Sequence, residues 1–251
     1  MFYEILILLV AGLGVGLLTG LLSMSAVMFA APLMIIFLDM SPYNAIGLSL
    51  AIDVFASITA SIVFYENKNI NLKKSLLLLF TAIVFVFVGS YISVFIPQSN
   101  LGWLMGFNIL IVGIVTYKRK DKKINQIKKE RKIYVFLAGM IIGLIAGIFG
   151  AGGGLMILFC LIFLLRYNIH EAIGTSVLIM VFIALIGSSS HYYYSPFNLK
   201  YLIIGAIGGI IGAYLSSVFA NKTNEKKLKE IVGIILAILG LALIINNLLN
   251  M

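Results

Sequence analysis

Residues Phe149 to Leu155 read FGAGGGL, with Gly150, Gly152, Gly153 and Gly154 inside a long apolar run. Four glycines in five residues supply no side chains for packing. They allow positive φ and let another backbone or a ligand come close, at an entropic cost. Non-helical backbone at membrane depth must be buried in protein or line a wet cavity. A helix interrupted here also aims the bare N–H groups of its second part into the break, where an anion can accept them. The rest of the chain reads as scaffolding around this break and a partner in the first half.

The chain has 251 residues, 62% of them hydrophobic and 11% charged. Soluble domains average about 25% charged residues, and the apolar stretches here are long enough for spans of roughly 20 residues. The composition predicts an all-α polytopic membrane protein. The single cysteine, Cys160, excludes a disulfide framework and a cysteine metal cluster. The net charge of +9 sits in loops between apolar stretches, as topology signals do, which argues against nucleic acid as a partner. The start, MFYEILILLV, has no basic run and no A-x-A site, so a retained first segment is expected.

Ten apolar stretches can be marked, near 5–22, 27–38, 44–65, 75–96 and 101–117, then 134–149, 155–165, 171–193, 200–220 and 228–247. At an offset of 127 residues, AGLGVGLLTG from Ala11 lies on AGMIIGLIAG from Ala138, NAIGLSL from Asn44 on EAIGTSV from Glu171, and INLKK from Ile70 on FNLKY from Phe197. GSYIS from Gly89 matches GAYLS from Gly212 after a gap of four. The expected organisation is a first membrane repeat over 1–117, a basic cytoplasmic linker over 118–133, and a second membrane repeat over 134–251. The second stretch of each half would reach only about 16–18 Å, against a hydrocarbon core of about 30 Å. Each is expected to form a broken or re-entrant hairpin with the stretch before it; tilted full crossings are the alternative.

Charge orients the halves. If each hairpin returns to its own side, the loops 66–74, 118–133, 166–170 and 221–227, with Lys229, share one face, and 17 basic residues lie there against Lys200 on the other. Parallel halves would give 13 to 5. The positive-inside rule prefers the first arrangement. It predicts two inverted repeats, each a hairpin plus three transmembrane helices, in the cytoplasmic membrane with both termini outside. Inverted repeats with interrupted helices are a transporter design, with the site between the repeats.

The counterpart of the glycine break is Ser23-Met24-Ser25-Ala26-Val27. Gly12, Gly16 and Gly20, like Gly139, Gly143 and Gly147, have the spacing of close helix packing. Ser41-Pro42-Tyr43-Asn44 and Asn168-Ile169-His170-Glu171 read as helix N-caps. One turn further in, Gly47-Leu48-Ser49 and Gly174-Thr175-Ser176 offer hydroxyls to an oxyanion or to a backbone carbonyl. Asp53 is the only acidic residue well inside an expected span, a proton-coupling candidate or the acceptor of a bond from a hydroxyl such as Ser57. His191, within HYYY, is expected in an interfacial belt with Tyr192, Tyr193 and Tyr194, with a proton relay as the other reading. HExxH, GxSxG and P-loop patterns are missing, so an enzyme is not expected, nor is a cofactor or metal.

The order of these motifs resembles the TauE/SafE family, the sulfite-exporter-like permeases. AGMIIGLIAGIFGAGGGLMIL followed by EAIGTS carries the resemblance, and AGLGVGLLTGLLSMSAVMFAAPL followed by NAIGLS repeats it more weakly. The first half has SMSA where the family usually has glycines. Phe159 stands where a proline is usual, while Pro32 keeps that position in the first half. The resemblance implies export of a small sulfur-containing anion such as sulfite or an organosulfonate (sulfoacetate, for example), driven by a gradient. The expected binding residues are Ser23, Ser25, Ala26, Val27 and Ser49 from the first half. Gly152, Gly153, Gly154, Leu155, Thr175 and Ser176 are those from the second. The expected partners are that anion and the lipid bilayer, and a homodimer is compatible with the sequence. Two rival readings stay open: a transporter of a cation or neutral metabolite using Asp53, and a non-transporting membrane assembly protein.

Overall fold

Apolar runs in lipid must pair their main-chain groups within themselves, and the helix is the form that does so without a sheet edge. The computed structural model describes residues 2–24, 27–118, 132–150 and 153–220, together with parts of 234–248, and its described residues are helical with short connections. The first half gives α1 (Phe2–Leu22), α2 (Val27–Leu38), α3 (Pro42–Glu66), α4 (Leu76–Val94) and α5 (Gln98–Lys118). The second gives α6 (Lys132–Phe149), α7 (Gly153–Phe163), α8 (Ile169–Tyr194) and α9 (Leu199–Ala220). Among the described residues, α1, α3, α4, α6, α8 and α9 are long and apolar enough to cross a membrane; α2 and α7 are too short. The basic stretch 119–131, Ser25, Ala26, Ala151 and Gly152 lie outside the described residues.

The helix ends follow from their residues. Pro42 opens α3 at the position where its missing N–H costs nothing, although Ser41 before it makes no side-chain cap bond. Asn168 caps α8 by accepting the Glu171 N–H at 2.9 Å. Among the described residues five helix ends turn through a left-handed residue: Ser23 after α1 (φ 52°), Asp39 after α2 (φ 48°), Lys68 after α3 (φ 57°), Gly150 after α6 (φ 62°) and Arg166 after α7 (φ 57°). Each of the two pairs, Ser23 with Gly150 and Asp39 with Arg166, is related by the 127-residue offset. The N–H groups of Met24, Met40 and Tyr167 then reach back to the carbonyls of Leu18, Met34 and Leu161, satisfying main-chain acceptors that would otherwise face lipid.

Packing interlocks the halves. α1 lies along α9, and α6 lies along α4. A Cβ on Gly12 would overlap the Gly205 carbonyl, one on Gly16 the Gly209 carbonyl, and one on Gly20 the Ser216 hydroxyl. Gly139, Gly143 and Gly147 abut Thr81, Ala82 and Val86 in the same way. In both pairs the contacts advance together along the two chains, so α1 runs parallel to α9 and α6 parallel to α4. Small residues let main chains touch, which is where helix association in lipid gains its dispersion energy. Across the centre α3 runs antiparallel to α8, with Gly47 against His191, Gly187 against Leu50 and Gly174 against Phe64.

Gly143→Val should push a branched carbon into the Ala82 carbonyl and Phe85 and separate α4 from α6. The expected cost is about 3 kcal/mol, in the range for overpacking. Leu17→Ala, on the 42% exposed face of α1, should cost under about 0.5 kcal/mol. Thermal loss of monodisperse protein in detergent reads both.

Candidate functional site

Each hairpin tip reaches the central helix pair. Thr19, in the last turn of α1, donates to Asp53 Oδ1 at 2.8 Å, and Ser57 donates to the same oxygen at 3.2 Å. Asp53 stands half-way along α3 and is fully buried. Its carboxylate therefore ties the end of α1 to the middle of α3. The bond from Ser57 is the one expected from the sequence; the one from Thr19 was not foreseen, because it joins residues 34 apart in the chain.

Just beyond, Ser23 bends the chain at positive φ and its Oγ lies 2.6 Å from Ser176 Oγ on α8. The Ser176 hydroxyl also stands 2.9 Å from the Ile173 carbonyl, so its one proton serves either acceptor. Thus the first break is held by the second half's central helix. The second break is held by the first half: Gly150 packs against Ile46 of α3 and against Val27, the first residue of α2. A Cβ at Gly150 would come within 2.8 Å of the Ile46 side chain and 3.1 Å of Val27, so positive φ and close approach both require glycine there. Through Val27 and Gly150 the two breaks touch.

The expected site residues fall into three groups. Ser23, Val27, Ser49, Gly153, Gly154, Leu155 and Ser176 are buried at or near the breaks. Ser49 lies one turn beyond Ile46, and its fully buried hydroxyl has no hydrogen-bond partner among the described residues. Gly153 faces Ala146 Cβ and Met180 Sδ. Thr175 is committed elsewhere: its Oγ1 accepts the Asn71 N–H at 2.9 Å, and Tyr167 donates to the Asn71 carbonyl at 2.6 Å, so both anchor the loop between α3 and α4. Ser25, Ala26 and Gly152 lie outside the described residues.

His191 departs from the expected interfacial belt. Tyr192, Tyr193 and Tyr194 are exposed as such a belt requires, but His191 is fully buried, with Nε2 3.2 Å from the Gly147 carbonyl and its ring 4.3 Å from the Tyr43 ring. Helix geometry is the reason. Ala184, Gly187 and His191 follow one another at the spacing of a single helix face, the face that packs on α3. That period was the signal that could have found it.

The hollows between α8 and its neighbours lie away from the breaks. One of about 680 Å³ is lined by Val54, Phe55, Leu185, Tyr193 and Leu202 among others. Another of about 660 Å³ is lined by Phe87, Leu185, Ser190 and Tyr194 among others. Both are apolar and face outward.

Comparison with known proteins adds a family. Residues 8–243 match the family described as Sulfite exporter TauE/SafE. The chain is similar to the probable membrane transporter protein YunE of Bacillus subtilis (strain 168), 25% identical over 94% of this chain and 93% of that one. It is also similar to YdhB of the same organism, likewise a probable membrane transporter protein, 26% identical over 91% and 96%. The probable membrane transporter protein MJ0441 of Methanocaldococcus jannaschii is 27% identical, over 95% of each chain.

The geometry at Ser23 separates two costs. Ser23→Ala loses the hydrogen bond to Ser176 and keeps a side chain at positive φ, so a loss of about 1 kcal/mol is expected. Ser23→Gly loses the same bond but relieves about 1 kcal/mol of left-handed strain, so it should be close to neutral. Denaturation of the two variants in matched micelles checks the order.

Proposed function

This chain belongs to the sulfite exporter TauE/SafE family and is a multi-pass membrane transporter, not an enzyme, and on that premise we propose that it exports a small sulfur-containing oxyanion. Sulfite, or an organosulfonate such as sulfoacetate, is the substrate class. The carrying observation is the meeting of the two breaks at Val27 and Gly150. There the first residue of α2 meets the turn that ends α6, three residues before α7 begins, and the first-turn N–H groups of α2 and α7 have no partner inside their own helices. Two such ends stabilise an anion without burying a lysine or arginine, which suits a solute that must also leave.

The site is proposed to comprise Val27 and Gly153 to Leu155 through their main chain, extended to Ser25, Ala26 and Gly152 in the intervening segments. Ser23, Ser49 and Ser176 supply hydroxyls, and Thr175 holds the loop behind them. The hydroxyl of Ser49, without a partner among the described residues, supports this reading, because a buried hydroxyl without a bond is costly unless something fills its place in the working cycle. The opposite senses of α1 and α6, of α3 and α8, and of α4 and α9, which follow from their contacts, support an inverted pair of repeats. Export by a secondary mechanism, the cytoplasmic membrane, external termini and a cytoplasmic linker belong to the same proposal. Asp53 is fixed by Thr19 and Ser57 hydroxyl donors, an environment that suits a carboxylate acting as an anchor.

Counterflow of labelled sulfite and sulfoacetate in proteoliposomes tests the proposal. Ser49→Ala combined with Ser176→Ala should weaken apparent affinity about tenfold, the effect of losing a bond or two to an anion. Asp53→Asn should keep anion exchange. Loss of all exchange in properly folded Asp53→Asn, or no counterflow of either anion by the unaltered chain, contradicts it.

A further inference from the structure

The last turn of α6 carries a main-chain carbonyl that a side chain of α8 meets. Gly147 lies three residues before Gly150, the residue at positive φ. Its carbonyl stands 3.2 Å from His191 Nε2. A carbonyl only accepts, so the ring proton sits on Nε2. Among the described residues Nδ1 is buried with no hydrogen bond of good geometry, and the Tyr43 main chain lies beside the ring.

Among the described residues the surroundings of this imidazole hold no compensating charge. From α3 the Tyr43 ring stacks on it and the Tyr43 main-chain carbonyl lies near, and no charged side chain acts on it. From α4 Ser90 abuts Gly147, with its hydroxyl unbonded. Phe197 adjoins Gly47 beside it, and Tyr192 and Tyr194 follow on α8 itself. Asp53 stands six residues along α3 from Gly47, which abuts His191, a rise of about 9 Å at 1.5 Å per residue. A second proton on this ring would put an unpaired charge into a dry interior, which is strongly unfavourable. Water must reach the ring for the proton to stay.

His191 is also singular within the duplicated plan. Its counterpart under the 127-residue offset is Phe64, just as that of Asp53 is Met180. Each break therefore carries one ionisable side chain from the central helix of its own half. Asp53 secures the end of α1, and His191 secures the end of α6.

We propose that His191 is the proton-operated latch of the second break: with one ring proton it holds the Gly147 carbonyl and keeps α6 closed on α8, and taking up a second proton favours the arrangement in which water enters and the end of α6 is released. It acts through α6 and is a positioning residue. The inference rests on the transporter reading but not on the choice of sulfite.

The chain has two histidines, so His170→Asn, an exposed change at the start of α8, leaves His191 as the single reporter. Nitrogen NMR of that full chain, histidine-labelled in lipid nanodiscs, should show the Nε2–H tautomer at about pH 8. It should then show gain of the second proton, with loss of the hydrogen-bonded Nε2 shift, on acidification to about pH 4. The Nδ1–H tautomer, or one unchanged state across that range, overturns the latch. In proteoliposomes, an imposed pH gradient should accelerate sulfite flux by the unaltered chain. His191→Gln, which can still donate to Gly147, should keep gradient-free counterflow within about threefold and lose the acceleration. Acceleration that survives in His191→Gln also overturns it. If the unaltered chain moves no sulfite, the substrate reading fails and the tautomer and titration of His191 alone decide the latch.

Discussion

A main-chain N–H or carbonyl left unpaired in hydrocarbon costs several kcal/mol. Every unusual feature of this molecule is a response to that cost. Where α1 and α6 stop short, the left-handed turns at Ser23 and Gly150 fold the chain back, and at Ser23 the next N–H returns to a carbonyl of the last turn. Side chains from the central helices hold the two ends in place: Asp53 receives the Thr19 hydroxyl, Ser176 meets the Ser23 hydroxyl, and His191 meets the Gly147 carbonyl. The first turns of α2 and α7 keep N–H groups without partners in their own helices, and the two breaks that precede them meet where Val27 touches Gly150.

Convergence requires the two halves to be interlocked. α1 is embraced by α9 and α6 by α4, so each hairpin is shouldered by a helix from the other half. Gly12, Gly16, Gly143 and Gly147 meet main chain, and Gly20 and Gly139 meet the hydroxyls of Ser216 and Thr81, with no room for a methyl group at any of them. Such faces give a rigid rail in lipid, where apolar side chains gain nothing by leaving the solvent.

Much of this was legible in the sequence. The bounds of α2 agree with the expected 27–38, because the break before it and the Asp39 turn after it leave no other stretch. The packing role of Gly12, Gly16 and Gly20 was legible from spacing, but not their partner, since a small-residue stripe carries no direction and α9 lies far away in the chain. The left-handed turn at Ser23 left no glycine to mark it; only its correspondence with Gly150 pointed there. Thr175 was read as a ligand hydroxyl, and its bond to Asn71 depends on a loop path that no local pattern encodes. His191 was misplaced because three neighbouring tyrosines outweighed the helical period that turns it inward.

The central claim is that a negative solute is held by main-chain groups where the two breaks meet. Selenite, an oxyanion of the same shape and charge class as sulfite, carries an atom that anomalous X-ray scattering locates without ambiguity. In crystals of the full chain grown with it, the account predicts a selenium peak whose oxygens lie within about 3 Å of main-chain N–H groups at the starts of α2 and α7. A peak seated instead in the outward hollow beside Phe87 and Tyr193, with the meeting point of Val27 and Gly150 tightly packed, would contradict it.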